Sequence, residues 1–462
     1  LSFNDNVLDR KRNNYLACVH AGPEDLFGIA FLDLSTGEFM AAQGNAEYAG
    51  KLLQGFRPAE MVYCKRQKDK ISGFRSDNIS EFTLDEWVYG YDYAEEKLCN
   101  QFQTNSLKGF GIHHMPLAII AAGAALHYLD ETEHRETAHI SSISRLDEKQ
   151  HVWLDRFTIR NLELIHPQQE GGVPLIQILD HTCTPMGARL LRKWIVLPLK
   201  SRDAINHRHN VIEALIGAKP VMQKIGESMR RIGDLERLIG KVATRRINPR
   251  ELAQLRKSIG ILEPVKRLLE ESNDPFLQEI SSKIDPCDEL SERLARELKD
   301  DPPVVTHQGG IINDGIDSAL DELRQIAFSG KDYLVQIQKR ECERTGIPSL
   351  KIAYNKVFGY YLEVSNTHRN KVPEEWIRKQ TLVNAERYIT EELKIYEEKI
   401  LNAEEKLVSV EQRLFAKLVE YTAGFTQLIQ ENARAIASLD CLLSFATVSE
   451  RFRYCRPEVD DS

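Results

Sequence analysis

One pattern towards the C-terminal end restricts the fold more than any other. Ile389, Leu393, Tyr396, Ile400, Ala403, Leu407, Val410 and Leu414 follow one another at steps of 4, 3, 4, 3, 4, 3 and 4 residues. That alternation averages 3.5 residues, the period of a coiled-coil seam, whereas an ordinary amphipathic helix repeats at 3.6. A seam needs a partner. Ile316, Leu320, Leu323, Ala327, Gly330, Leu334 and Ile337 repeat the alternation upstream, with Gly330 the one weak step. About 50 residues that do not read as helix join the two segments, so the simplest pairing is an intramolecular antiparallel hairpin. At 1.5 Å per residue, about 25 to 30 helical residues make an arm of about 40 Å, and whatever lies between them is carried at its end.

The intervening residues 347 to 388 read as a small antiparallel sheet. Leu350, Ile352 and Tyr354 alternate with other residues, 359 to 365 do likewise, and 379 to 383 offer a third short strand. Between 350 and 387, Lys351, Lys356, Arg369, Lys371, Arg378, Lys379 and Arg387 stand against Glu363, Glu374, Glu375 and Glu386, which is seven minus four, or +3, in a chain of formal net charge -8. A local positive region on an acidic chain is the footprint of phosphate contact. A small solvated sheet also needs surface charge of this kind.

The rest of the chain divides by pattern. At 462 residues it is too long for one hydrophobic core, and about three domains are expected. Residues 15 to 64 read as strand, strand, turn, strand, helix, strand, which places a small α/β domain over residues 1 to 110. From residue 111 the pattern turns helical, punctuated by Gly171-Gly172, Pro198, Pro220, Pro249, Pro275 and Pro302-Pro303. The expected division is an α/β domain over 1–110, an all-α part with the outgoing arm over 111–348, the basic sheet over 349–388 and the returning helix over 389–462. Eight scattered cysteines show no CxxC pair and no zinc-ligand spacing, so reduced, mostly buried thiols are expected. The longest apolar run, residues 115 to 126, falls well short of a bilayer span.

Particular wording then becomes informative. Phe358-Gly359-Tyr360-Tyr361-Leu362-Glu363-Val364-Ser365, followed by Arg378-Lys379-Gln380-Thr381-Leu382-Val383-Asn384-Ala385-Glu386-Arg387-Tyr388, closely resembles the clamp domain of bacterial MutS mismatch-repair proteins. Leu179-Asp180-His181-Thr182-Cys183-Thr184-Pro185-Met186-Gly187-Ala188-Arg189, Gly233-Asp234-Leu235-Glu236-Arg237-Leu238 and Gly309-Gly310-Ile311-Ile312 resemble that family's core, or lever, domain. Asn161-Leu162-Glu163-Leu164 resembles the core's entry segment, and the α/β domain resembles the RNase H-like connector. The match runs in order along essentially the whole chain. The family begins with a mismatch-reading domain carrying a Phe-x-Glu wedge and ends with an ATPase domain; no Phe-x-Glu and no GxxxxGK followed by Ser or Thr occurs, so the chain resembles connector, core and clamp only, truncated where the ATPase domain would start.

The fold class that follows is multidomain α with α/β: an RNase H-like connector, an all-α core with a long antiparallel coiled-coil lever, and a small β-rich clamp at its tip. The resemblance implies a homodimeric sensor of mismatched double-stranded DNA in the bacterial cytoplasm, associated with the nucleoid, that meets a MutL-type partner through the connector. ATP and Mg²⁺ are expected to serve the full-length parent, an ATPase, while the chain itself holds no cofactor or metal and catalyses nothing. The expected backbone-binding residues are Lys356, Arg369, Lys371, Arg378, Lys379, Thr381, Asn384 and Arg387, whose side chains pair with phosphates or donate to their oxygens without reading bases. Val383 stands where bacterial relatives often have Lys, so one charge of the family's pattern is missing. Two other readings remain: a MutS homologue acting on recombination junctions, and a structural coiled-coil protein that organises chromosomes.

Other chemistry is less well supported. Asp33, with Glu38 and Glu60, could suggest a two-metal nuclease, but Asp33 beside Ser35-Thr36-Gly37 reads better as a turn former. His113-His114 could suggest a metal pair, but adjacent residues on an extended segment point apart. Gly309-Gly310 lacks the remainder of a phosphate loop and reads as a turn before the first arm helix. Asp234 and Arg237 lie within one helical turn and are expected to pair locally on a packed or solvated face.

Overall fold

The computed structural model describes residues 8–75, 79–132, 137–147, 150–355 and 359–460. Lys356 and Phe358 lie outside the described residues, as do the side-chain surroundings of Gly330. Two compact units are present: residues 1–247 with 251–293 and 419–462, and residues 248–250 with 294–418.

The first unit opens on a six-stranded sheet of order β5-β4-β1-β2-β3-β6. Its strands are β1 (Tyr15–Ala21), β2 (Leu26–Asp33), β3 (Glu38–Asn45), β4 (Glu60–Cys64), β5 (Ser80–Leu84) and β6 (Ser144–Arg145). β1 to β3 form an antiparallel meander, and β4, β5 and β6 add in parallel. Tyr15, Ala17 and Val19 face one core while Leu16 and Cys18 face the other, so both sheet faces are covered and the strands read as continuous apolar runs. Helix Ala46–Phe56 lies on the first face; Asn45 caps it by accepting from the Tyr48 amide at 2.8 Å. Asp33 is the turn former expected: its carboxylate accepts from the Ser35 amide at 2.9 Å and hydroxyl at 2.7 Å, and Gly37 takes φ +75° to start β3.

The α/β layer extends beyond residue 110. Helix Pro116–Glu131 is buried almost all round and belongs to the core of the second sheet face, with helix Tyr91–Phe102 beside it. A helix apolar on every side carries no stripe to show which layer it covers, which is why its sequence read as the start of an all-α region. The contact is close: a Cβ on Gly28 of β2 would lie 2.0 Å from the backbone carbonyl of Leu117. The rings of His113 and His114 lie 3.6 Å apart and do not point away from each other; no group of three or more metal-ligand residues was found among the described residues.

The helical part of this unit gathers around helix Thr426–Phe452, whose Ile429, Ala433, Ile436 and Cys441 are buried. Its Asp440, fully buried, accepts from the amides of Cys183 and Thr184 at 2.8 Å each and from the Thr184 hydroxyl at 2.6 Å. Thr184 in turn caps helix Pro185–Val196. Asp234 pairs locally with Arg237, whose amide donates to it at 3.3 Å and whose guanidinium lies at 3.9 Å, but its stronger partner is distant: Arg189 grips it with two hydrogen bonds of 2.7 Å and reaches Glu236 at 2.6 Å. Burial pushes the Asp234 carboxyl up, but Arg189 outweighs it and the group titrates low. For Glu236 burial wins and the group titrates high.

In the second unit, Asp317 caps helix Ser318–Thr345 and Gly346, at φ +62°, ends it. Its counterpart is helix Glu391–Ala423. Buried residues fall where the 4-3 alternation places them at Leu320, Ala327, Leu334 and Ile337 on one and Leu393, Ile400 and Ala403 on the other, but further along the second helix burial moves to Glu411, Phe415 and Leu418 while Leu407, Val410 and Leu414 are half-buried. Arg324 bonds Glu411, the Tyr333 ring stacks on Tyr396 at 4.0 Å, and Arg340 bonds Glu392, so the partner number falls as the first number rises. The two helices therefore run antiparallel.

Candidate nucleic-acid interface

The segment between these helices folds as a four-stranded antiparallel sheet of order β7-β8-β10-β9. Its strands are β7 (Lys351–Asn355), β8 (Gly359–Ser365), β9 (Ile377–Thr381) and β10 (Ala385–Ile389). The sequence offered three strands; the third lies two residues earlier than expected, and β10 was missed because its Ala-Glu-Arg-Tyr-Ile carries two charges within five residues. Leu362, Val364 and Tyr388 form one apolar core with Trp376 and with Leu334, Ile337, Leu393 and Ile400 of the paired helices. The sheet is thus anchored to both helices by burial, with about 1.5–3 kcal/mol of driving force per large side chain.

Register decides what each charge can do. β10 places Glu386 in line with Val364 on the buried face, where it is 2% exposed. The Tyr388 hydroxyl hydrogen-bonds it, and Arg369 and Arg378 reach it at 3.4 Å and 3.3 Å. The Tyr388 hydrogen bond first, and then both guanidinium groups, hold the Glu386 carboxyl below its ordinary range against the effect of burial. Burial and the neighbouring carboxylate push Tyr388 up to about 12. Arg369 and Arg378 therefore neutralise an internal carboxylate while their outer parts remain exposed.

Arg387 points to the other face. It bonds Glu363 at 3.1 Å and Gln380 at 2.8 Å and lies over the Tyr361 ring at 4.4 Å, with 19% of its side chain exposed. Lys371 donates to the Gly346 carbonyl at 3.0 Å, tying the sheet to the helix end. Lys379, Thr381 and Asn384 are exposed along β9 and its turn. Lys379 has no ion-pair or hydrogen-bond partner among the described residues, and the same holds for Lys351 on β7, which sequence reasoning counted as a charge without assigning it to the interface. Val383 caps the β9–β10 turn at 92% exposure, and the turn is closed by the Leu382 amide donating to Ala385 and by Asn366 donating to Val383.

The eight expected contacts thus separate by role. Lys379, Thr381 and Asn384 present unengaged donors to solvent; Arg369, Arg378, Arg387 and Lys371 are partly committed within the fold; Lys356 is not described. Such a surface supplies donors for anionic oxygens.

Comparison with known proteins decides the lineage. Residues 157–446 match the family described as MutS domain III, and residues 14–141 match MutS domain II. The chain belongs to the MutS family. It is 54% identical over 462 residues to the DNA mismatch repair protein MutS of Cytophaga hutchinsonii, covering 100% of this chain and 54% of that relative. The corresponding proteins of Bacteroides fragilis and Christiangramia forsetii are 50% and 51% identical over the same 462 residues, of which the chain covers 54% and 53%. The chain spans about half the length of the curated relatives it matches. The MutS domain II match runs past residue 110 and takes in helix Pro116–Glu131, in keeping with the packing described above. The MutS domain III match encloses both long helices and the sheet between them.

Proposed function

We propose that this chain is the DNA-gripping portion of a mismatch repair protein, in which the four-stranded sheet is a clamp that holds the backbone of a duplex without reading its sequence. The observation that carries the reading is the exposed edge of β9 and its turn, where Lys379, Thr381 and Asn384 offer donors with no internal engagement. The paired helices are a coiled-coil lever: stiff, anchored at the sheet by a shared core, and suited to turn a small rotation at one end into a displacement at the other. The six-stranded domain is an RNase H-like connector, a reading supported by the order β3-β2-β1-β4-β5, and it offers a surface to a MutL-type partner. The whole protein is a homodimer acting on mismatched double-stranded DNA, and it is an ATPase whose nucleotide state reaches the DNA through the lever.

No GxxxxGK motif ending in Ser or Thr occurs in this chain, so its residues do not fit a phosphate loop and none is assigned to ATP or Mg²⁺. No helix among the described residues is long and apolar enough to cross a membrane, in keeping with a place in the bacterial cytoplasm beside the nucleoid. Family membership over both segments favours this reading over a chromosome-organising coiled coil or a junction-specific homologue. The test is fluorescence anisotropy of the chain on labelled duplexes of unrelated sequence. Affinities that agree with one another and fall steeply with salt are expected; no binding at low salt, or binding to one sequence alone, overturns the reading.

A further inference from the structure

A cavity of about 150 Å³ in the first unit is lined by Arg12, Arg57, Arg189, Arg192, Lys193 and His166, with Phe56, Ile165 and Val196 forming an apolar wall. No aspartate or glutamate lines it among the described residues. The cations come from separate parts of the fold: Arg12 precedes β1, Arg57 follows helix Ala46–Phe56, and Arg189, Arg192 and Lys193 lie on helix Pro185–Val196. Arg189 is matched by Asp234 and Glu236, Lys193 by Glu38 at 2.6 Å and Arg12 by Asp9 at 3.3 Å, all from outside the cavity. Arg192 differs. It makes no hydrogen bond or ion pair with the described residues, and its Nε is buried without an acceptor.

A buried donor without an acceptor is an exception that calls for an explanation, and a bound anion is one of the standard ones. The field at the site agrees. Burial and then Arg12 lower the affinity of Arg192 for its proton, with Asp9 and Asp180 offsetting only part; burial followed by Arg57, Arg12 and Arg192 does the same to His166. Guanidinium groups converging from several segments suit an acceptor with several oxygens, since each presents its donors as a fixed fork.

We propose that this cavity binds a phosphoryl group, either as free orthophosphate or as the terminal phosphate of an ester, seated against Arg192 with Arg12 and Arg57 around it. Because Arg12 and Arg57 flank elements of the α/β layer and Arg192 lies on helix Pro185–Val196, the bound anion ties the two layers together and stabilises the folded form by mass action. The site is independent of the clamp and makes no use of the β9 edge.

Thermal unfolding and isothermal titration of the full chain test it, with orthophosphate and adenosine monophosphate compared against chloride at matched ionic strength. Phosphate salts stabilise many proteins generically, so the readout is the difference between wild type and Arg192→Gln. Saturable binding is expected in the wild type and about tenfold weaker binding in the variant, the loss of one charge-assisted contact. Tighter binding of orthophosphate identifies the free ion as the natural source, and tighter binding of the monophosphate identifies an ester whose body uses the apolar wall; either supports the site. If Arg192→Gln does not fold, Arg192→Lys serves in its place, and it is expected to weaken binding because an ammonium cannot reproduce the fork. No saturable binding to wild type, or equal affinities of wild type and the folded variant, overturns the proposal.

Discussion

Arg324 donates to the Glu411 carboxylate at 2.6 Å, joining helix Ser318–Thr345 to helix Glu391–Ala423 through an acid that has no exposure to solvent. The same guanidinium bonds the Ile312 carbonyl at 2.6 Å and Asp314 at 2.6 Å, and Glu411 also accepts from the Ile311 amide at 3.2 Å. One ion pair therefore fixes the entry of the first helix against the body of the second.

Replacing Arg324 by Met leaves Glu411 buried with one neutral donor. Breaking a buried pair from one side costs about 3–5 kcal/mol, much more than losing a surface pair. Urea denaturation followed by circular dichroism should show a loss of that order. A loss below about 1 kcal/mol would mean that the pair is solvated in solution.

Gly28→Ala tests the contact between the sheet and helix Pro116–Glu131. The added methyl would meet the Leu117 backbone at 2.0 Å, and backbone cannot swing aside as a side-chain tip can. Overpacking of this kind costs about 1–3 kcal/mol or more. The expected outcome is a lowered thermal midpoint, with faster hydrogen exchange along β2 and that helix.

The pH dependence of stability carries a sign that can be checked at Glu38. Desolvation pushes its carboxyl up, but the Lys193 ammonium at 2.6 Å and the Tyr15 hydroxyl at 2.5 Å outweigh it and hold the group below its ordinary value of 4.5. A folded value below the unfolded one means stability that is present above pH 4.5 and lost as pH falls through the depressed folded value. In Lys193→Met the desolvation is left without its main counterweight, so the loss of stability on acidification should shrink. Urea midpoints taken between about pH 3 and pH 7 measure the change in slope.

What the sequence made legible was local. The 4-3 alternation as far as Ala403, the β1–β4 order and the turn at Asp33 each depend on residues a few positions apart, and all three are found in the fold; beyond Ala403 the buried positions shift to Glu411, Phe415 and Leu418. The strand β5 was not legible, since Ser-Glu-Phe-Thr-Leu is exposed at four of five positions and shows no alternation. Nor could local reading find the grip of Arg189 on Asp234, 45 residues away, when the i, i+3 neighbour Arg237 was the only visible candidate. At the four-stranded sheet, composition gave the positive charge but could not show which cations were committed. That required the register, which sets Glu386 on the buried face and Glu363 opposite Arg387.

The division of labour between two basic residues follows from that register. Arg387→Ala removes bonds to Glu363 and Gln380 and the cover over Tyr361, and should destabilise the sheet by about 1–2 kcal/mol. Lys379→Ala touches nothing within the fold and should leave stability within about 0.5 kcal/mol. Parallel denaturation curves of the two variants separate these roles.

The most direct measurement of the proposed clamp is the salt dependence of duplex binding by wild type and Lys379→Gln. If the ammonium of Lys379 meets a phosphate, the slope of log affinity against log salt concentration falls by about one unit, and affinities for unrelated duplexes fall together. An unchanged slope and affinity at every sequence would contradict a backbone clamp at this edge of the sheet.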